Sequence, residues 1–135
     1  MAAKRKPANA VRAENPPALT REDILGADDL RREPVPVPEW GGTVYVRTMT
    51  GRERDAWETM AFISEDGKVR ANEDNVRARL VALTVCDDTG ELLFGLDDIE
   101  EIGKKSAPVL DRLYSAASRV NAVSVADIEE LAGNS

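Results

Sequence analysis

The sequence predicts an α+β fold: a predominantly helical single domain over residues 20–135 with an N-terminal β-hairpin, preceded by a disordered arm over residues 1–19. Three observations carry this. Aromatic residues are only 4% of the chain against 42% hydrophobic, so the core must come from Leu, Val, Ile and Ala, which suits helices better than a sheet-rich sandwich. A Gly41-Gly42 pair separates two runs of strand character. Downstream, apolar residues recur at helical spacing behind Ser and Thr caps. At 135 residues the chain is long enough for one core that folds without disulfides or metals.

Residues 1–19 are rich in Ala, Pro and charge and show no apolar periodicity, the pattern of an arm that cannot repay its ordering entropy. Thr20 with Asp23 predicts a short capped helix that Gly26 stops. Alternating Pro34, Pro36 and Pro38 predict an edge strand or extended segment, since proline cannot donate to a central ladder. Thr43, Val44, Tyr45, Val46 and Arg47 form its hairpin partner. Thr50 and Glu53 have capping-box spacing, and the helix they open places Trp57, Met60 and Ala61 on one face.

Residues 64–72 are polar and read as a loop. Asn72 or Asp74 then starts a helix with Val76, Leu80 and Leu83 on its face. Asp87, Asp88, Thr89 and Gly90 form a turn, residues 91–94 a short extended piece. Asp97 opens a brief helix through Ile99 and Ile102, ended near Gly103. Ser106 caps the next, with Pro108 tolerated in its first turn and Leu110, Leu113, Tyr114, Ala117 and Val120 as its stripe. Ser124 caps a last helix carrying Val125, Ile128 and Leu131.

Composition excludes more functions than it suggests. Histidine is absent, which removes the commonest general base, the Ser-His and Cys-His dyads and most transition-metal sites. One cysteine, Cys86, rules out thiolate zinc sites and an internal disulfide. Gly41-Gly42 lacks the Gly, Lys and Ser/Thr spacing of a phosphate loop. Asp87, Asp88 and Glu91 superficially resemble a calcium loop but lack its alternation and terminal Glu, so a solvated turn is the expected reading. No catalytic, cofactor-binding or metal residues are assigned, and no enzyme activity is expected.

Residues 1–18 carry a net charge of +3, which leaves −10 of the total −7 on the remainder. An acidic body repels phosphate, so no nucleic-acid partner is expected. The apolar runs are far too short for a membrane span, no secretory signal is expected, and cytoplasm is the expected compartment. Tryptophan is enriched at partner sites, which makes Trp40 and Trp57 candidates. Trp57 shares a face with Met60 and Ala61, which favours a core role; Trp40, on the proline-rich edge, reads as core or partner site alike. With Ile128 and Leu131 of the last helix, these are the partner-binding candidates.

The order of segments then resembles a known family. Residues 37–42 (Val-Pro-Glu-Trp-Gly-Gly) and Val44-Tyr45-Val46-Arg47 lead into Thr50-Gly51-Arg52-Glu53-Arg54-Asp55. Arg79-Leu80-Val81-Ala82-Leu83, Asp88-Thr89-Gly90 and Leu93-Phe94 follow, then Gly103-Lys104-Lys105-Ser106, Leu110-Asp111-Arg112-Leu113-Tyr114 and Asp127-Ile128-Glu129-Glu130-Leu131. This layout resembles the tail assembly chaperones of long-tailed bacteriophages. The departure is Val120-Asn121-Ala122 where the family pattern has Leu-Asn-Gly. The resemblance implies a non-catalytic protein of the host cell cytoplasm that binds and solubilises the tape-measure protein and helps recruit tail tube subunits. It also implies absence from the mature virion, a longer frameshifted product in many members, and leaves room for self-association. The competing reading is a structural virion protein, a head–tail connector or minor tail component.

Overall fold

The computed structural model describes residues 16–123. Residues 1–15 of the expected arm (1–19) and the expected last helix with Ile128 and Leu131 lie outside the described residues, while residues 16–19 are exposed and carry no helix or strand. Within them the chain is one mixed α/β domain, in which helix exceeds strand but two antiparallel sheets also contribute.

Helix α1, Arg21–Gly26, opens with the expected capping box: Thr20 Oγ1 accepts from the Asp23 amide while the Asp23 carboxylate accepts from the Thr20 amide. Strand β1, Arg32–Val37, pairs antiparallel with β2, Gly42–Arg47, from Arg32↔Arg47 to Val37↔Gly42. β1 is an edge strand, as its prolines require. The turn is not the Gly-Gly pair that the sequence predicts. Pro38–Trp40 make one 3-10 turn, Gly41 closes it at φ 84°, and Gly42 is already in β2. Proline fixes the φ that starts such a turn, so only Gly41 needs left-handed backbone.

Thr50 and Glu53 form the expected capping box of α2, Gly51–Met60, and Trp57 points into the core at 1% exposure. The expected loop over residues 64–72 is instead a second hairpin. β3, Phe62–Glu65, pairs with β4, Lys68–Ala71, across Asp66 (φ 50°) and Gly67 (φ 75°). Both central residues are left-handed, as a two-residue Asp-Gly hairpin turn requires.

Helix α3, Val76–Thr84, starts after Asn75, which is left-handed at φ 51° and offers no side-chain cap. It therefore starts at neither Asn72 nor Asp74. Asn72 works on the hairpin instead, its Nδ2 donating to the Met60 carbonyl at 3.0 Å. The expected single stripe on α3 is also wrong: every residue from Ala78 to Thr84 is buried, because this helix is the centre of the domain. Strand β5, Val85–Cys86, continues from it and adds to β2, giving the order β1-β2-β5. A 3-10 turn, Leu96–Asp98, runs into α4, Ile99–Ile102.

Helix α5, Ala107–Asn121, is capped by Ser106 and lies against α3, β1 and β2. Val109, Leu110, Leu113, Ala116 and Ala117 form its buried face, joining Val35, Val37, Val46, Trp57, Leu80, Val81 and Ile102 in one core. Tyr114 packs partly against it, and Val120 lies at the margin.

Asn121 ties the end of α5 to the other elements. Its Oδ1 accepts from the Met49 amide at 2.7 Å, and its Nδ2 donates to the Arg47 carbonyl at 3.3 Å. Ala122 then turns left-handed at φ 53°, and the Val123 amide donates to the Ser118 carbonyl at 2.9 Å. This is the position where the resemblance noted in the sequence leads one to expect glycine. A β-carbon there costs roughly 1–2 kcal/mol, partly offset by glycine's greater freedom in the unfolded chain. Ala122→Gly is therefore expected to stabilise the domain by about 0.5–1 kcal/mol in urea unfolding.

Candidate functional site

The described residues form an open apolar groove of about 300 Å³. Val81 and Ile102 form its floor, Trp40 and Phe94 its walls, and Asp98, Glu101 and Lys105 its rim. Trp40 is 43% exposed and Phe94 37%; Leu93 (55%) and Leu96 (49%) are also large, exposed apolar residues on the same loop as Phe94. Isolated exposed apolar residues are ordinary, but several adjoining an open groove mark an interaction surface.

Each wall is held from below. Arg112 on α5 donates to both carboxylate oxygens of Glu39, at 2.8 and 2.7 Å, and to the Pro36 carbonyl at 3.3 Å. This clamp fixes the turn that carries Trp40. The Arg112 hydrogen bond holds the Glu39 carboxyl at about 2, below its ordinary 4.5. Because the folded value is depressed, the clamp is intact above pH 4.5 and is lost as pH falls towards 2.

On the opposite wall, Leu92 bridges to Cys86 and the Leu93 amide donates to the Val85 carbonyl at 3.1 Å, which anchors the strand before Phe94. After it, the Gly95 amide donates to Asp98 Oδ2 at 2.8 Å, starting the turn into α4. Phe94 is thus displayed on a short segment pinned at both ends.

A second apolar surface is α1, which buries none of its residues; Leu19 is 65% exposed, Ile24 58% and Leu25 68%. A six-residue helix is too short to hold itself in water, so its apolar residues are available for further packing.

The remaining chemistry is structural. Asp87 Oδ1 accepts from the Thr89 hydroxyl at 2.7 Å and from the Thr89 and Glu91 amides at 2.9 and 3.0 Å, so this carboxylate caps its own turn. The Thr89 hydrogen bond holds it below the ordinary carboxylate range. Among the described residues, no group of three or more Cys, Asp and Glu is placed to hold a metal ion. Cys86 is buried, and burial pushes its thiol up, away from the reactive thiolate.

Of the expected partner residues, Trp40 lies in the groove. Trp57 does not: it is sealed in the core beneath the Arg79 guanidinium, 5.7 Å from its ring centroid, and presents no surface to a partner. Ile128 and Leu131 are outside the described residues. Sequence reasoning missed Phe94, Leu93 and Leu96. Their signal was four large apolar residues within the five positions 92–96, too few and too irregular to form an element of their own.

Comparison with known proteins agrees with this layout. A family model described as phage tail assembly chaperone matches residues 24–134. Among solved structures, one titled "Structure of bacteriophage HK97 tail assembly chaperone" superimposes with a TM-score of 0.54 at 22% identity, covering 76% of this chain and 94% of that one. At that identity the likeness speaks for the fold. No curated protein matches the chain. The family match spans every described element except the first turn of α1, and the chain belongs to the phage tail assembly chaperone family.

Proposed function

We propose that this protein is a non-catalytic chaperone of the host cell cytoplasm that binds the tape-measure protein, keeps its apolar helical segments soluble and helps bring tail tube subunits to it. The observation that carries this reading is the open groove between Trp40 and Phe94, on a protein that belongs to a tail assembly chaperone family. An amphipathic helix binds by laying its apolar face into such a groove, and the affinity comes from burial of the anchors. The exposed apolar residues of α1 are the surface available for self-association.

A chaperone leaves when assembly ends. Mass spectrometry of purified virions is therefore expected to detect tube and tape-measure proteins without this chain. Its presence at fixed stoichiometry would favour a head–tail connector or minor tail component instead.

A further inference from the structure

We infer that the groove selects amphipathic helices whose apolar ridge is flanked by lysine or arginine on the side that meets α4. This rests on the chaperone reading above and names the chemistry of the segment that its partner presents.

The groove's size and lining set the first requirement. About 300 Å³ is at the lower end for ligand sites, and the floor and walls are Val81, Ile102, Trp40 and Phe94. Such a space takes aliphatic side chains from successive turns of a helix, at i, i+3 or i+4 and i+7.

The rim sets the second requirement. Asp98 and Glu101 line the groove with Lys105, and Asp97 stands beside them, exposed; Glu100 accepts from Asn75 Nδ2 at 3.3 Å and is not part of the lining. The cations on this side are Lys104 and Lys105, at the far end of α4. Glu101 meets Lys104 at 3.0 Å, but both side chains are more than two-thirds exposed, so a partner's cation can exchange into the pair. Glu39, across the groove, is already held by Arg112 and does not compete. Asp97, Asp98 and Glu101 against the two ammonium groups give this wall a negative edge, on a body that is itself acidic. Complementary charge on the incoming helix fixes its orientation and rejects helices with acidic flanks. Apolar burial supplies the affinity; each exposed ion pair adds up to roughly fivefold.

The test uses synthetic helical peptides sharing one leucine ridge, with lysine, glutamine or glutamate flanks, titrated into the full chain. Trp40 is the reporter, since Trp57 is buried and Trp40→Phe removes the signal. The lysine peptide is expected to bind about tenfold tighter than the glutamate peptide, as two or three exposed pairs allow, with the glutamine peptide between them. This advantage disappears at about 1 M salt, where the screening length is roughly 3 Å. Glu101→Lys is expected to invert the order with little change in thermal stability, since its pair with Lys104 is exposed, and Phe94→Asp to abolish binding of all three.

Equal affinities, a lysine preference that survives Glu101→Lys, or an unmoved Trp40 emission at saturation would overturn the inference. Lost peptide selectivity with retained solubilisation of the tape-measure protein would overturn it while leaving the chaperone reading standing. Intact selectivity without solubilisation would do the reverse.

Discussion

Replacing Trp57 with alanine is expected to remove about 3–5 kcal/mol of stability, the usual range for deleting a buried Trp or Phe. Trp57 is 1% exposed and is among the largest fully buried side chains of the described residues. It joins α2 to α3 through Arg79, whose guanidinium lies over its ring and donates to the Met60 and Asn72 carbonyls at the two stems of the β3–β4 hairpin. The indole is therefore the lid on a buried cation as well as a core anchor. Its loss leaves a cavity and weakens the cation–π contact that helps to hold Arg79. Chemical denaturation should show the loss in full, and Trp57→Phe should retain part of the stability. A change below about 1 kcal/mol would place Trp57 outside the core.

Glu53→Ala is expected to cost about 3–5 kcal/mol, because it strands a buried charge. Glu53 Oε2 accepts from Arg47 Nη2 at 2.8 Å, with the Arg47 side chain 6% exposed and that of Glu53 19%. Its other oxygen accepts from the Thr50 amide at 2.9 Å, completing the capping box of α2. Arg47 also donates to the Thr48 carbonyl at 3.0 Å, and among its nitrogens Nε has no partner. Removing the carboxylate thus costs both the cap and the only counter-charge that touches this guanidinium among the described residues. Glu53→Gln keeps an acceptor for the Thr50 amide and loses the charge, so it should fall between wild type and alanine. Thermal melts of the three proteins check the order; for a domain of this size each kcal/mol moves the midpoint by roughly 4 °C.

What the sequence made legible was local. Thr20, Thr50 and Ser106 cap helices because a side chain and an amide three residues on satisfy each other, whatever surrounds them. Prolines 34 and 36 declared an edge strand for the same reason, through the donor they lack. The β3–β4 hairpin was less visible. Its Asp66-Gly67 turn is a strong signal, but the flanks Ser64, Glu65, Lys68 and Arg70 are polar and exposed, so no alternation announced the strands. Asn72 had the identity of a helix cap and was used by the hairpin instead, a choice that only tertiary contact decides.

The groove lies at the same limit. The shared face with Met60 and Ala61 points Trp57 to the core, whereas Trp40 on the proline-rich edge can go either way, and only packing displays it. Phe94, Leu93 and Leu96 stay exposed because the bridge at Leu92 and the cap at Asp98 hold their segment across the surface, and no periodicity encodes that. The left-handed Ala122 lies between these cases: the family pattern marked the position, and the backbone shows why glycine belongs there.

Whether this protein holds a tape-measure protein through apolar burial in the groove is tested most directly by co-expression of the tape-measure protein with wild type, with Phe94→Asp and with no chaperone. Wild type is expected to move the tape-measure protein from pellet to supernatant and to co-purify with it through moderate salt, since burial is screened little. Phe94→Asp, with a thermal melt alongside wild type to show that it is folded, should return most of it to the pellet. Tape-measure solubility that is unchanged by the wild-type protein would contradict the account.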